Sequence, residues 1–197
     1  MASTRATQQQ NEVILIRDIV EKYFHQKPDL TDSHSSSLNR VCRSLEMISN
    51  ELRDFVREIH KDRFKELTNN IVKELKNDRP RIWRALKKIS DELFSQGINW
   101  SHIVTLLVFC SELRCRALEH FAKDEGDKFT RLLIDWICRY FEENLMQWIN
   151  EQEGGWLDVT KTLSEREHSQ KRIVISIATL AVFVGVLYTT ISNLLHR

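Results

Sequence analysis

The side chains best able to do chemistry in this 197-residue chain are four cysteines, seven histidines and one acidic cluster. Cys42, Cys110, Cys115 and Cys138 have neither the paired spacing of a zinc site nor the density of a disulfide scaffold. They are expected to be reduced, mostly buried thiols. Cys110 and Cys115 stand five apart, so a helix puts them on different faces. The histidines are scattered, and no H-E-x-x-H pair occurs. Asp124–Glu125–Gly126–Asp127 is too short for a calcium loop and reads as a solvated turn. There is no Gly-rich phosphate loop and no G-x-S-x-G elbow. Asn99–Trp100–Ser101 matches a glycosylation acceptor, which a cytosol-facing domain does not use. No catalytic residue, metal site or cofactor follows from these residues, so a binding protein is expected rather than an enzyme.

Whatever this chain binds must then be positioned by its elements. Lys and Arg total 29 against 28 Asp and Glu, for a net charge of +1. That balance argues against a nucleic-acid binder acting through phosphate neutralisation. Five Gly and two Pro are too few for the many tight turns of a sandwich or barrel, so an all-α chain is expected. Val13, Ile16, Ile19, Val20, Tyr23 and Phe24 recur at helical spacing over 11–26. Pro28 to Ser37 reads as a loop. A second run carries Leu38, Val41, Leu45, Ile48, Leu52, Phe55, Val56 and Ile59, and Phe64, Leu67, Ile71 and Leu75 extend it after a bend near His60. Asp78 and Pro80 predict a helix start, and Gly97 an end. Ile103 to Cys110 is apolar on every side except Thr105, as expected of a central helix enclosed by others. Phe129 to Tyr140, Leu145 to Ile149 and a last short element after Gly154–Gly155 complete about eight helices.

The two ends differ. Residues 1–10 are polar and Gln-rich and read as a flexible N-terminus, not a secretory signal, before a helical domain over 11–168. Ile173 to Leu195 carries no charge. As a helix it would span about 34 Å, enough for a bilayer core of about 30 Å. Lys171 and Arg172 precede it, and His196 and Arg197 follow. Residues 171–195 therefore read as a C-terminal transmembrane tail anchor.

Glu92–Leu93–Phe94–Ser95–Gln96–Gly97–Ile98–Asn99–Trp100 resembles the first homology motif of the Bcl-2 (B-cell lymphoma two) apoptosis regulators. Trp148–Ile149–Asn150–Glu151–Gln152–Glu153–Gly154–Gly155–Trp156 is similar to the second. Val41, Leu45, Ile48, Asn50 and Leu52 follow the third, and the first helix stands where the loosely defined fourth belongs. The resemblance implies a Bcl-2-like helical bundle around a central hydrophobic helix, with a tail anchor. It implies a groove for a partner's third-motif helix, whose anchors recur at helical spacing. Carried over, that groove would use Leu52, Phe55, Phe64, Leu67, Ile89, Leu93 and Val104, with Asn99 and His102 as polar rim. Trp100 is expected beneath it.

Two positions depart from the family pattern. Ser101–His102 stands for the family's Gly-Arg, and Asn50 for the Asp of its third motif. In the family that Arg pairs with a partner helix's Asp, so both sides of the ion pair are neutral or nearly so here. A charge-assisted contact is roughly twice as strong as a neutral one, but apolar anchors should still dominate binding. The implied partners are other family members and, through the tail, a membrane, with homo- or hetero-oligomers open. The implied place is the cytosolic side of the mitochondrial outer membrane, with the endoplasmic reticulum as the other destination. The neutral pair leans the reading towards a pro-survival member that sequesters third-motif helices. A Bak- or Bok-like effector that oligomerises and permeabilises the membrane is the alternative, and an adaptor with a non-binding groove the third.

Overall fold

The computed structural model describes residues 16–24, 35–75 and 78–161. The chain forms α1 (16–24), α2 (Ser35–Leu75), α3 (Arg79–Leu93), α4 (Trp100–His120), α5 (Lys123–Asn144) and α6 (Met146–Glu151). A 3-10 turn over Gly155–Leu157 leads into α7 (158–161). No strand occurs among the described residues.

The apolar run that predicted a central helix is the core of α4. Ile103, Val104, Leu106, Leu107, Phe109, Cys110, Leu113 and Ala117 are all fully buried. Thr105, the one polar residue in the run, donates its hydroxyl to the Ser101 carbonyl at 2.7 Å, so its burial leaves no unmet donor. α4 packs chiefly on α2 and α5.

α3 opens as its sequence predicts. Asp78 is the N-cap, its Oδ1 accepting from the Arg81 N–H at 3.0 Å, and Pro80 sits in the first turn. Its inner stripe is Ile82, Ala85, Leu86, Ile89 and Leu93. α3 stops at Leu93, four residues short of Gly97. The chain then turns, with the Gly97 N–H donating to the Phe94 carbonyl at 3.0 Å and Gly97 at φ +111°.

Two expectations are corrected. α2 runs unbroken through His60 as one helix of 41 residues. The five-residue step from Ile59 to Phe64 interrupts the apolar stripe, but Lys61 and Arg63 are residue types of good helix propensity, so the backbone has no local reason to stop. Asp124–Glu125–Gly126–Asp127 is not a turn. It lies in the first turns of α5, where Asp124 and Glu125 meet the positive helix end.

Candidate functional site

The third motif lies on α2 with its apolar side turned into the bundle. Val41, Leu45, Ile48 and Leu52 are each 7% exposed or less, and Ser49 is fully buried. Burying Ser49 requires a hydrogen-bond partner. Tyr23 of α1 supplies it, donating to Ser49 Oγ at 2.7 Å. Burial raises the Tyr23 pKa above its ordinary value, so the phenol stays a neutral donor at physiological pH. Arg53, one turn further along α2, donates to Ser111 Oγ of α4 at 3.1 Å and reaches Tyr23 Oη at 3.5 Å. Its other terminal nitrogen donates to Asn50 Oδ1 at 3.1 Å. A polar chain thus ties the third-motif helix to α1 and α4 at once. Spacing along one helix gave no signal for this chain, since Tyr23 and Ser49 stand 26 residues apart.

The residues expected to line a groove come from α2, α3 and α4 and fall within one continuous core. Ile89 and Val104 are fully buried; Leu52, Phe64, Leu67 and Leu93 are 6–7% exposed. Phe64 meets Phe109 edge-on, with ring centroids 6.4 Å apart. The Phe55 side chain lies outside the described residues. In this state these side chains pack into the interior. Among the described residues, the exposed large hydrophobics are Met47 and Leu118.

The two expected rim residues build the start of α4. Asn99 is exposed, but its Oδ1 caps the helix by accepting from the His102 N–H at 2.9 Å. His102 is 8% exposed. Its Nδ1 lies 2.8 Å from the Gly97 carbonyl, to which it donates in the matching tautomer. Its ring meets Phe94 edge-on at 6.0 Å. The residue sits inside because the loop closes back over the first turn of α4. Replacing His102 by alanine should cost about 1–3 kcal/mol, since the Gly97 carbonyl loses its donor. Urea unfolding of wild type and variant measures this.

The first and second motifs meet in a tryptophan cluster. Trp100 stands 5.3 Å from Trp148 and 5.7 Å from Trp156, and Trp156 stacks on Phe141 at 5.7 Å. Trp100 Nε1 donates to Asp158 Oδ2 at 3.0 Å. Trp100 thus packs inside the bundle. The glycines of the second motif have a conformational reason. Gly154 has φ +100° and Gly155 φ +56°, in the left-handed region that turns α6 back towards α4. Gly154→Ala should destabilise by about 1–2 kcal/mol, which a thermal melt would register as a lowered Tm.

Burial raises the pKa of all four thiols. Burial pushes the Cys42 thiol up to about 11 and the Cys138 thiol up to about 12, and raises Cys110 further. Among the described residues no group of three or more His, Cys, Asp or Glu could hold a metal ion.

The family model for the apoptosis regulator proteins of the Bcl-2 family matches residues 52–156. The chain belongs to the Bcl-2 family. Human Bcl-2 homologous antagonist/killer is 25% identical over 123 residues, which cover 62% of this chain and 53% of that protein. Mouse apoptosis regulator BAX is 26% identical over 145 residues, 72% of this chain and 67% of that protein. Rat Bcl-2-like protein 1 is 25% identical over 124 residues, covering 62% and 51%. The chain thus spans about half the length of the antagonist/killer and of Bcl-2-like protein 1. Chicken BOK superposes with a TM-score of 0.61 at 18% identity, covering 78% of this chain and 98% of that one. The Trichoplax adhaerens protein trBcl-2L2, solved bound to trBak BH3, superposes at 0.54 with 25% identity, covering 74% and 97%. The Bcl-2 fold is therefore established, with the first two homology motifs joined at the tryptophan cluster. No helix among the described residues is long and apolar enough to cross a membrane. The expected Bcl-2-type tail, Ile173 to Leu195, lies outside them.

Proposed function

We propose that this Bcl-2 family protein regulates apoptosis by exchanging amphipathic helices with other family members at the mitochondrial outer membrane, held there by its tail. The groove would be formed by Leu52, Phe55, Phe64, Leu67, Ile89, Leu93 and Val104. The observation carrying the mechanism is their burial: the six with described side chains are at most 7% exposed. In this mechanism a partner helix reaches them as α2 moves relative to α3 and α4. Such a guarded groove suits an effector, which rests closed, opens on a trigger and offers its own third motif to a second copy. We therefore favour the effector reading. The buried state of Val41, Leu45, Ile48 and Leu52 supports it, since those anchors become available in the same movement.

The pro-survival reading rests on a different observation. Asn50 and His102 stand where the family's ion pair has Asp and Arg, and Asn50 is engaged by Arg53. A protein that only receives helices does not need an acidic third motif of its own. Dye release from liposomes separates the two readings. The full chain is added to vesicles with synthetic trBak BH3 peptide as trigger. Peptide-dependent release supports the effector. No release, together with protection of the vesicles from release by mouse BAX, supports the pro-survival member. Neither release nor protection would leave an adaptor with a non-binding groove and contradict helix exchange.

A further inference from the structure

The polar side of α3 carries a concentration of positive charge. Arg79, Arg81, Arg84, Lys87 and Lys88 fall within its first ten residues, and its only acids, Asp91 and Glu92, come at the end. The whole chain has a net charge of only +1, so this is a local segregation of charge. Lys87 is paired with Asp91 at 2.6 Å. Arg84 and Lys88 are exposed, one turn apart, and make no ion pair among the described residues. At the edge of this face, half-buried Trp83 lies between two guanidinium groups. Arg79 of α3 is 5.4 Å and Arg139 of α5 5.1 Å from its ring centroid. Exposed cations beside an indole are the side chains that settle at a headgroup layer.

We propose that the outer face of α3, centred on Arg84 and Lys88 and flanked by Arg79 and Trp83, docks on anionic phospholipid headgroups. The surface is basic and amphipathic, with its apolar side already spent in the core, so contact is electrostatic and does not require insertion. An acidic protein would satisfy the charge equally. The lipid surface is favoured by reach: residues 162–172 separate the described domain from the uncharged run at Ile173 and span at most about 40 Å. That reach rests on the proposed anchor; the charge of α3 does not.

The test is flotation of the full chain with phosphatidylcholine vesicles and with vesicles containing about 30% phosphatidylserine, an anionic surface of the kind that attracts basic segments. Binding to neutral vesicles reports the tail, and the ratio of anionic to neutral binding reports α3, so the two can fail separately. Each basic residue near such a surface contributes about fivefold. The double variant Arg84→Gln/Lys88→Gln should therefore lower that ratio by about tenfold to thirtyfold with unchanged helical circular dichroism. Salt should lower the wild-type ratio in parallel. A second double variant, Arg40→Gln/Arg43→Gln on exposed positions of α2, should keep the wild-type ratio. The proposal is overturned if wild type shows no anionic preference, which would leave the face to an acidic protein. It is equally overturned if the α3 variant keeps the full ratio, or if the α2 variant loses as much.

Discussion

Trp100→Ala is expected to cost about 3–5 kcal/mol of folding free energy, the range for removing a large buried aromatic side chain. The substitution opens a cavity where three elements meet. It removes ring contacts with Trp148 and Trp156 and the hydrogen bond to Asp158. Trp100→Phe separates these contributions, because it keeps most of the ring volume and loses the indole N–H. Its cost should be smaller, about 1–3 kcal/mol. Denaturant unfolding read by circular dichroism measures both. Equal losses for the two variants would assign the effect to the hydrogen bond alone. Negligible losses would mean that the two motifs are not joined through this residue.

The double substitution Tyr23→Phe/Arg53→Ala has the second-largest expected effect, about 2–4 kcal/mol. It removes the donors to Ser49 and Ser111 and leaves Ser49 buried without its phenol partner. The consequence reaches beyond stability. If α2 must leave α1 and α4 before a partner helix enters, weakening these ties raises the open population. A shift of about 1.4 kcal/mol in that equilibrium is tenfold, so association of trBak BH3 peptide should quicken by at least about tenfold. Stopped-flow fluorescence gives the rate. A destabilised variant with an unchanged association rate would show that α2 need not separate from α1 and α4 for entry.

Much of the fold was legible because its signals are local. The uncharged, all-round apolar run at Ile103 to Cys110 identified the centre of the bundle without any partner being known. Asp78 and Pro80 marked the start of α3 through a cap and a ring-fixed φ, both properties of single residues. Gly154 and Gly155 marked a chain reversal because only glycine adopts that backbone freely. Contacts between elements were not legible. His102 stands beside an apolar helix and reads equally well as rim or interior; the loop closing over it decides. Asn99 is a preferred N-cap type four residues before the apolar run opens at Ile103, a local signal for the start of α4. The tie between Tyr23 and Ser49 depends on how α1 lies on α2, which no periodicity encodes. The continuity of α2 was hidden because an amphipathic stripe reports which side is buried, and a charged stretch leaves the stripe blank whether or not the helix continues.

Helix exchange through a guarded groove is tested most directly by titrating the full chain with trBak BH3 peptide while following hydrogen exchange along α2. We expect saturable binding, with an association rate below about 10⁵ per molar per second because a conformational change precedes entry. We also expect loss of amide protection over Val41 to Leu52 on binding, as the third motif leaves the core. Absence of saturable binding, or binding that leaves α2 as protected as before, would contradict that mechanism.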